Sequence, residues 1–148
     1  MSLLSVKNLT ISFENQDGIT HAVKDVNFDI EAGEILGIVG ESGSGKSACC
    51  YSIMGLLDLN SSCIKSGTAI FEGTDLISAN DKFMRSIRGK RISMIFQDPM
   101  TALNPYLTIG QQIIEPLLLH NDIDKVTAKQ KALTLLEEVG IDDVDTRY

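Results

Sequence analysis

The 148-residue chain has no tryptophan, only three prolines and only three cysteines. No apolar run approaches the roughly 18 residues that a bilayer-spanning helix requires. The N-terminus, Met1-Ser2-Leu3-Leu4-Ser5-Val6-Lys7, lacks the basic start and long apolar core of a secretory signal, so the expectation is a protein that stays in the cytoplasm. Cys49, Cys50 and Cys63 form an odd set with no C-x-x-C spacing, which is poor material for a disulfide framework or a zinc site. They read as small buried thiols. Positive charge is also scarce: 13 Lys and Arg stand against 20 Asp and Glu, a net charge of −7. That balance argues against nucleic acid as a bulk electrostatic partner. It leaves open a local polyanion site, because backbone amides and one lysine hold a phosphate without a basic surface. What remains is one ordinary globular domain, 43% hydrophobic and 22% charged.

The first forty residues read as strands. Val6, Leu9, Ile11 and Phe13 alternate loosely, then Val23, Val26, Phe28 and Ile30 do the same, with the turn signal Asp17-Gly18 between. This predicts an antiparallel hairpin, closed by a turn at Glu31-Ala32-Gly33-Glu34. Ile35-Leu36-Gly37-Ile38-Val39 is apolar on both faces, the pattern of a central parallel strand. A helix is expected from Lys46 to Leu57, a short strand between Gly67 and Gly73, and a short helix from Asp81 to Arg88. Ile92 to Phe96 reads as a second apolar strand. Thr108 with Gln111 forms a capping box for a helix that Pro116 should kink or end. The last helix carries Ala128, Ala132, Leu135, Leu136 and Val139 on one face and stops at Gly140.

Between the apolar strand and the helix lies Gly40-Glu41-Ser42-Gly43-Ser44-Gly45-Lys46-Ser47, a G-x-x-x-x-G-K-S phosphate loop. Glycines let the backbone wrap tightly and turn several N–H groups toward one point. The positive end of the following helix adds to that field. Lys46 is placed to reach the β- and γ-phosphates of a nucleotide, and the Ser47 hydroxyl to bind Mg²⁺. The pattern is strong evidence for a nucleoside triphosphate with Mg²⁺, ATP being the expectation, yet alone it does not choose among kinases, GTPases and transport ATPases.

Further residues narrow the choice. Phe96-Gln97-Asp98-Pro99, read with the phosphate loop, resembles the glutamine loop of ABC-transporter ATPases. His21-Ala22-Val23 after Asp17-Gly18, Met84-Arg85 with Ile87-Arg88-Gly89, and Met94 through Pro105 resemble the ATP-binding subunits of dipeptide and oligopeptide importers, including their nickel-carrying relatives. The resemblance covers nearly the whole chain. It implies an α/β fold, a P-loop NTPase of the ABC-ATPase type with a RecA-like core and an antiparallel β subdomain. Residues 1–33 would be the antiparallel region, 34–100 a partial nucleotide-binding core and 101–148 the start of a helical subdomain. It implies that Phe13 stacks on adenine, although a core strand position suits the same side chain. It implies that Gln97 reaches the Mg²⁺ and the attacking water, for which a glutamine amide is suited. The segment from Asp98 to Pro105 would touch transmembrane permease subunits. A second ATP-binding subunit, identical or homologous, would complete the pair, and an extracytoplasmic solute-binding protein would act indirectly. The protein would sit peripherally on the cytoplasmic face of the inner membrane. His21 and His120 match no catalytic position and read as structural. Asp98 is a weaker metal candidate, because Gln97 holds the place where the magnesium acid of such strands would follow the apolar run.

Such ATPases also require a Leu-Ser-Gly-Gly-Gln-like signature, an Asp-Glu pair after an apolar run, and a switch histidine. None occurs in these 148 residues, so the expectation is a fold truncated before the signature, with exposed apolar surface and negligible hydrolysis alone. A nucleotide-binding or interaction fragment without hydrolysis is the alternative. A GTPase lacks support because no Asn-Lys-x-Asp motif is present, and a small kinase because no Arg-rich lid follows Asp98.

Overall fold

A computed structural model describes residues 2–15, 18–57, 63–98 and 102–144. The chain divides into two compact units, Met1–Arg85 and Ser86–Tyr148. The first is built on a four-stranded sheet in the order β2-β1-β3-β4, with β1 Leu4–Asn15, β2 Gly18–Ile30, β3 Cys63–Phe71 and β4 Thr74–Asp75. Every pairing is antiparallel. The expected hairpin is there, longer than its apolar positions alone implied; Asp17 of its turn lies outside the described residues. The turn at Glu31–Glu34 is also there, closed by Glu34 N–H to the Glu31 carbonyl at 3.2 Å. The antiparallel region reaches beyond residue 33, because β3 joins the free edge of β1 from Leu4↔Phe71 to Phe13↔Cys63.

The loose alternation of the sequence has a cause. In β1 the buried residues step from Val6 to Leu9, and in β2 the core-facing residues step from Val23 to Val26, three positions rather than two. Asn8 (φ 51°) and Asp25 (φ 50°) absorb the extra residue in a left-handed conformation. Asn8 donates from its backbone to Asn27 Oδ1 and from its side chain to Asp25 Oδ1, both at 2.8 Å. These two side chains, Asn8 first and then Asn27, hold the Asp25 carboxyl below the usual range. Opposite them in β3 stands Gly67 at φ 87°, where an added Cβ would lie 2.4 Å from the Asn8 carbonyl oxygen. Three strands are therefore creased along one line, and Val6, Leu9, Ile11 and Ala69 stay buried across it.

Helix α1 (Lys46–Ile53) packs on β1 and β2. It ends four residues before the expected Leu57. Gly55 N–H bonds to the Ser52 carbonyl and Leu56 N–H to the Tyr51 carbonyl, a Schellman closure that consumes the last-turn acceptors. Helix α2 (Asp81–Ile87) buries Met84 and Ile87. In the second unit α3 (Ile109–His120) packs against α4 (Lys125–Glu138). The capping box forms as expected, Gln111 N–H to Thr108 Oγ1 at 3.2 Å and Thr108 N–H to Gln111 Oε1 at 2.9 Å. Pro116 lies inside α3, which continues to His120. On α4 only the stripe Ala128, Ala132, Leu136 is buried; Leu135 and Val139, expected on the same face, lie on its flank and are exposed. Gly140 ends α4 with a second Schellman closure, its N–H to the Glu137 carbonyl and Ile141 N–H to the Leu136 carbonyl.

The two expected parallel strands form no ladder among the described residues. Ile35 is 96% and Val39 92% exposed. Ile92 makes one isolated parallel bridge to Arg88, and Ile95 is 93% exposed. A strand apolar on both faces is completed only by neighbours on both sides. Here the described residues supply none, which is the exposed apolar surface the sequence led one to expect.

Candidate functional site

The phosphate loop runs from Gly40 to the start of α1. Ser44 N–H bonds to the Glu41 carbonyl at 3.2 Å, and Cys49 N–H makes the first helical bond to the Gly45 carbonyl at 2.9 Å. Gly45 is the N-cap, with no side chain to cap the helix. The N–H groups of the first turn thus have no intrahelical acceptor and point out of the helix end, where an anion is favoured.

Gly45 has a second, steric role. The register of β1 with β2 passes from Ile11↔Val23 to Ser12↔His21, leaving Ala22 as a bulged residue. A Cβ on Gly45 would lie 2.1 Å from the Ala22 carbonyl oxygen and 3.2 Å from a Val23 methyl. The bulge seats the loop directly on the sheet, and only glycine fits between them.

Lys46 folds back over the loop. Its Nζ donates to the carbonyls of Gly40 at 2.8 Å and Glu41 at 2.6 Å, with Ser44 Oγ at 3.4 Å. Two backbone acceptors aim the ammonium along the loop, so the charge is placed before any anion arrives. Next to it is a cavity of about 270 Å³ lined by Ala22, Gly43 and Ser44 through Ala48. A wider one of about 470 Å³ is lined by residues of β2 and of the loop, among them Lys24, Val39, Gly40 and Lys46. Neither is lined by an Asp or Glu among the described residues. Glycine-wrapped amides, a helix end without a cap and a braced ammonium fit a polyphosphate.

For a metal, the loop offers the exposed Ser47 hydroxyl, and no group of three or more His, Cys, Asp or Glu side chains converges among the described residues. That donor set suits a hard cation whose other ligands are phosphate oxygens and water.

Phe13 is half-buried and, by strand alternation, shares the face of Ile11 and hence of its partner Val23, which touches the loop. His21 pairs with Ser12 on the other face, Ser12 Oγ and His21 Nδ1 being 2.8 Å apart. Gln97 and Asp98 belong to the second unit and are exposed; Pro99, Met100 and Thr101 of the same motif lie outside the described residues. The cysteines are free, and burial, with the neighbouring Cys50, pushes the Cys49 thiol up to about 11, so it is inert.

Two contributors escaped the sequence reading. Ala22 acts through its backbone, and its residue type carries no signal. Gln112 ties down the segment before α3: its Oε1 accepts from Asn104 N–H at 2.8 Å, and its Nε2 donates to the carbonyls of Asn104 and Leu107, both at 3.1 Å. An eight-residue separation leaves no periodic trace.

Residues 23–148 match the ABC transporter family. The oligopeptide transport ATP-binding protein OppD of Haemophilus influenzae is 48% identical over 145 residues, covering 98% of this chain and 44% of that protein. The dipeptide transport ATP-binding protein DppD of Bacillus subtilis is 50% identical over 145 residues, covering 98% of this chain and 43% of that one. The chain thus spans less than half the length of these relatives. Among solved structures, the ATP-binding cassette MJ0796, in a dimeric post-hydrolysis state bound to ADP and Pi, superimposes with a TM-score of 0.79 at 26% identity. The match covers 95% of this chain and 58% of the cassette.

Proposed function

Since the chain belongs to the ABC transporter family and has the ABC ATPase fold, we propose that it binds ATP with Mg²⁺ at Gly40–Ser47, as the nucleotide-gripping part of a subunit that drives peptide import. The observation that carries this is Lys46, braced by two loop carbonyls beside a helix end without a cap.

In the proposed mechanism the first-turn amides of α1 hold phosphate oxygens, and Lys46 exchanges its long 3.4 Å contact with Ser44 Oγ for the β- and γ-phosphates. Ser47 would offer a hydroxyl lone pair to the metal, whose charge would offset that of the phosphates. Phe13 stacks on the base from the loop side of the sheet. Gln97 orients the attacking water through its amide and reports on the permease, which the following segment touches. A second ATP-binding subunit completes the assembly, at the cytoplasmic face of the membrane. No described helix is long and apolar enough to cross a membrane. The peptide reading is supported by the relatives being oligopeptide and dipeptide transport subunits.

For these 148 residues alone a second reading has support: binding without hydrolysis, because no carboxylate of the described residues lines either cavity of the loop. The test is ATP titration of the purified chain and of Lys46→Ala, with phosphate release followed in the same samples. Loss of the charged donor should weaken binding by about 30-fold or more, with no phosphate released by either protein. Equal binding by both removes the loop from the function. Brisk Lys46-dependent release means that a carboxylate, Asp98 first, serves the metal.

A further inference from the structure

The phosphate loop contains one acid. Glu41 stands second in an anion-binding loop, where a carboxylate opposes the ligand. Its backbone is fixed in the loop, the carbonyl accepting from Ser44 N–H at 3.2 Å and Lys46 Nζ at 2.6 Å. Its side chain is exposed and makes no hydrogen bond or ion pair with any described residue. Glu41 lines neither cavity, yet its backbone carbonyl touches the Lys46 ammonium, so the carboxylate is near the loop's charge without reaching the cavity floor. Among the described residues no cation cancels it by contact: Lys46 is committed to the loop carbonyls, and Lys24 lines the wider cavity.

We propose that Glu41 is a specificity-determining residue that selects the magnesium complex of the nucleotide over the metal-free form. This rests on the reading that the loop holds a nucleoside triphosphate. The carboxylate acts through its field. A metal-free triphosphate carries about two more negative charges than its magnesium complex, so a fixed charge within a Debye length penalises it more. For a separation on the order of 8 Å the discrimination is about three- to tenfold at low ionic strength, shrinking toward nothing at high salt.

The experiment is a calorimetric titration of the full chain with ATP in excess chelator and again with Mg²⁺. It is run at about 20 mM and about 500 mM salt, which brackets the range from weak to strong screening. Glu41→Gln should tighten metal-free ATP by about three- to tenfold and the magnesium complex by less, so the ratio of the two affinities falls. Glu41→Lys should lower the ratio further, and at high salt all three proteins should converge. An unchanged ratio in both variants overturns the proposal. A changed ratio that survives high salt also overturns it, since the side chain would then act through contact or loop shape. Failure of the underlying reading looks different: Lys46→Ala would bind as well as the parent, whatever the ratio.

Discussion

Replacing Gly45 by alanine tests the seating of the phosphate loop most directly. Two costs add. Gly45 has φ 91°, and holding an L-residue in the left-handed region costs about 1–2 kcal/mol. The new methyl would also lie 2.1 Å from the Ala22 carbonyl oxygen. Backbone has no rotamer to yield with, so the loop or β2 must shift by about an ångström, a strain of about 1–3 kcal/mol. The sum, about 2–5 kcal/mol, should lower the melting temperature by roughly 5–15 °C in a domain of this size. Lifting the helix end off the sheet also re-aims its amides, and misplacement on that scale costs on the order of 100-fold where several donors must converge. Gly43→Ala is the control. Gly43 has φ 80° in the same loop, yet an added Cβ meets nothing within 4 Å, so only the conformational cost of about 1–2 kcal/mol applies. Thermal unfolding and ATP titration of both variants separate strain from collision. Equal behaviour of Gly43→Ala and Gly45→Ala would refute the argument that the Ala22 bulge, rather than loop conformation alone, demands glycine.

Two further outcomes are expected. Burial pushes the Asp75 carboxyl up, but hydrogen bonds from Ala69 N–H, the Ser78 hydroxyl and Ile77 N–H outweigh it, so it lies below its ordinary value of 3.8. A depressed folded value means that this stabilisation is complete above the unfolded value and is lost as pH falls through the folded one. Asp75→Asn should therefore cost about 1 kcal/mol at pH 7 and nothing at pH well below 3.8, measured as the difference in melting temperature across a pH series. Ser52 Oγ is buried in α1 without a hydrogen-bond partner among the described residues. Ser52→Ala should thus be neutral or stabilising by up to about 1 kcal/mol, and a clear loss in denaturant unfolding would mean that the hydroxyl has an unseen partner.

What the sequence made legible follows from the range over which each signal acts. The phosphate loop is local: its eight residues carry their own turn chemistry, and the strand-like and helical flanks only confirm it. The capping box at Thr108 and Gln111 is local in the same way. Strand identity is not local. Ile35–Val39 has the composition of a central strand, yet pairing depends on residues elsewhere, and none of those described supplies it. The end of α1 was misplaced because Leu56 and Leu57 continue an apolar pattern, while Gly55 had already closed the helix. The place of β3 beside β1 could not be foreseen from either strand, since antiparallel register over some fifty intervening residues leaves no mark in composition. Ala22 and Gln112 act through a bulged carbonyl and a side-chain strap, which become visible only once the backbone is folded.

The crease through Asn8, Asp25 and Gly67 has a consequence for how this region can change in length. A strand assigns its faces by counting in twos, and the extra residue at Asn8 is the one that β1 could lose: Val6 and Leu9 would then stand two apart and still share the face opposite Phe28 and Val26. β3 has no such spare residue at Gly67, where it runs two positions against three in β1, so a loss there would turn Ala69 and Phe71 away from the core. Length in this sheet is therefore adjustable one residue at a time at the bulges of β1 and β2, and held fixed by β3, which has no bulge to give up.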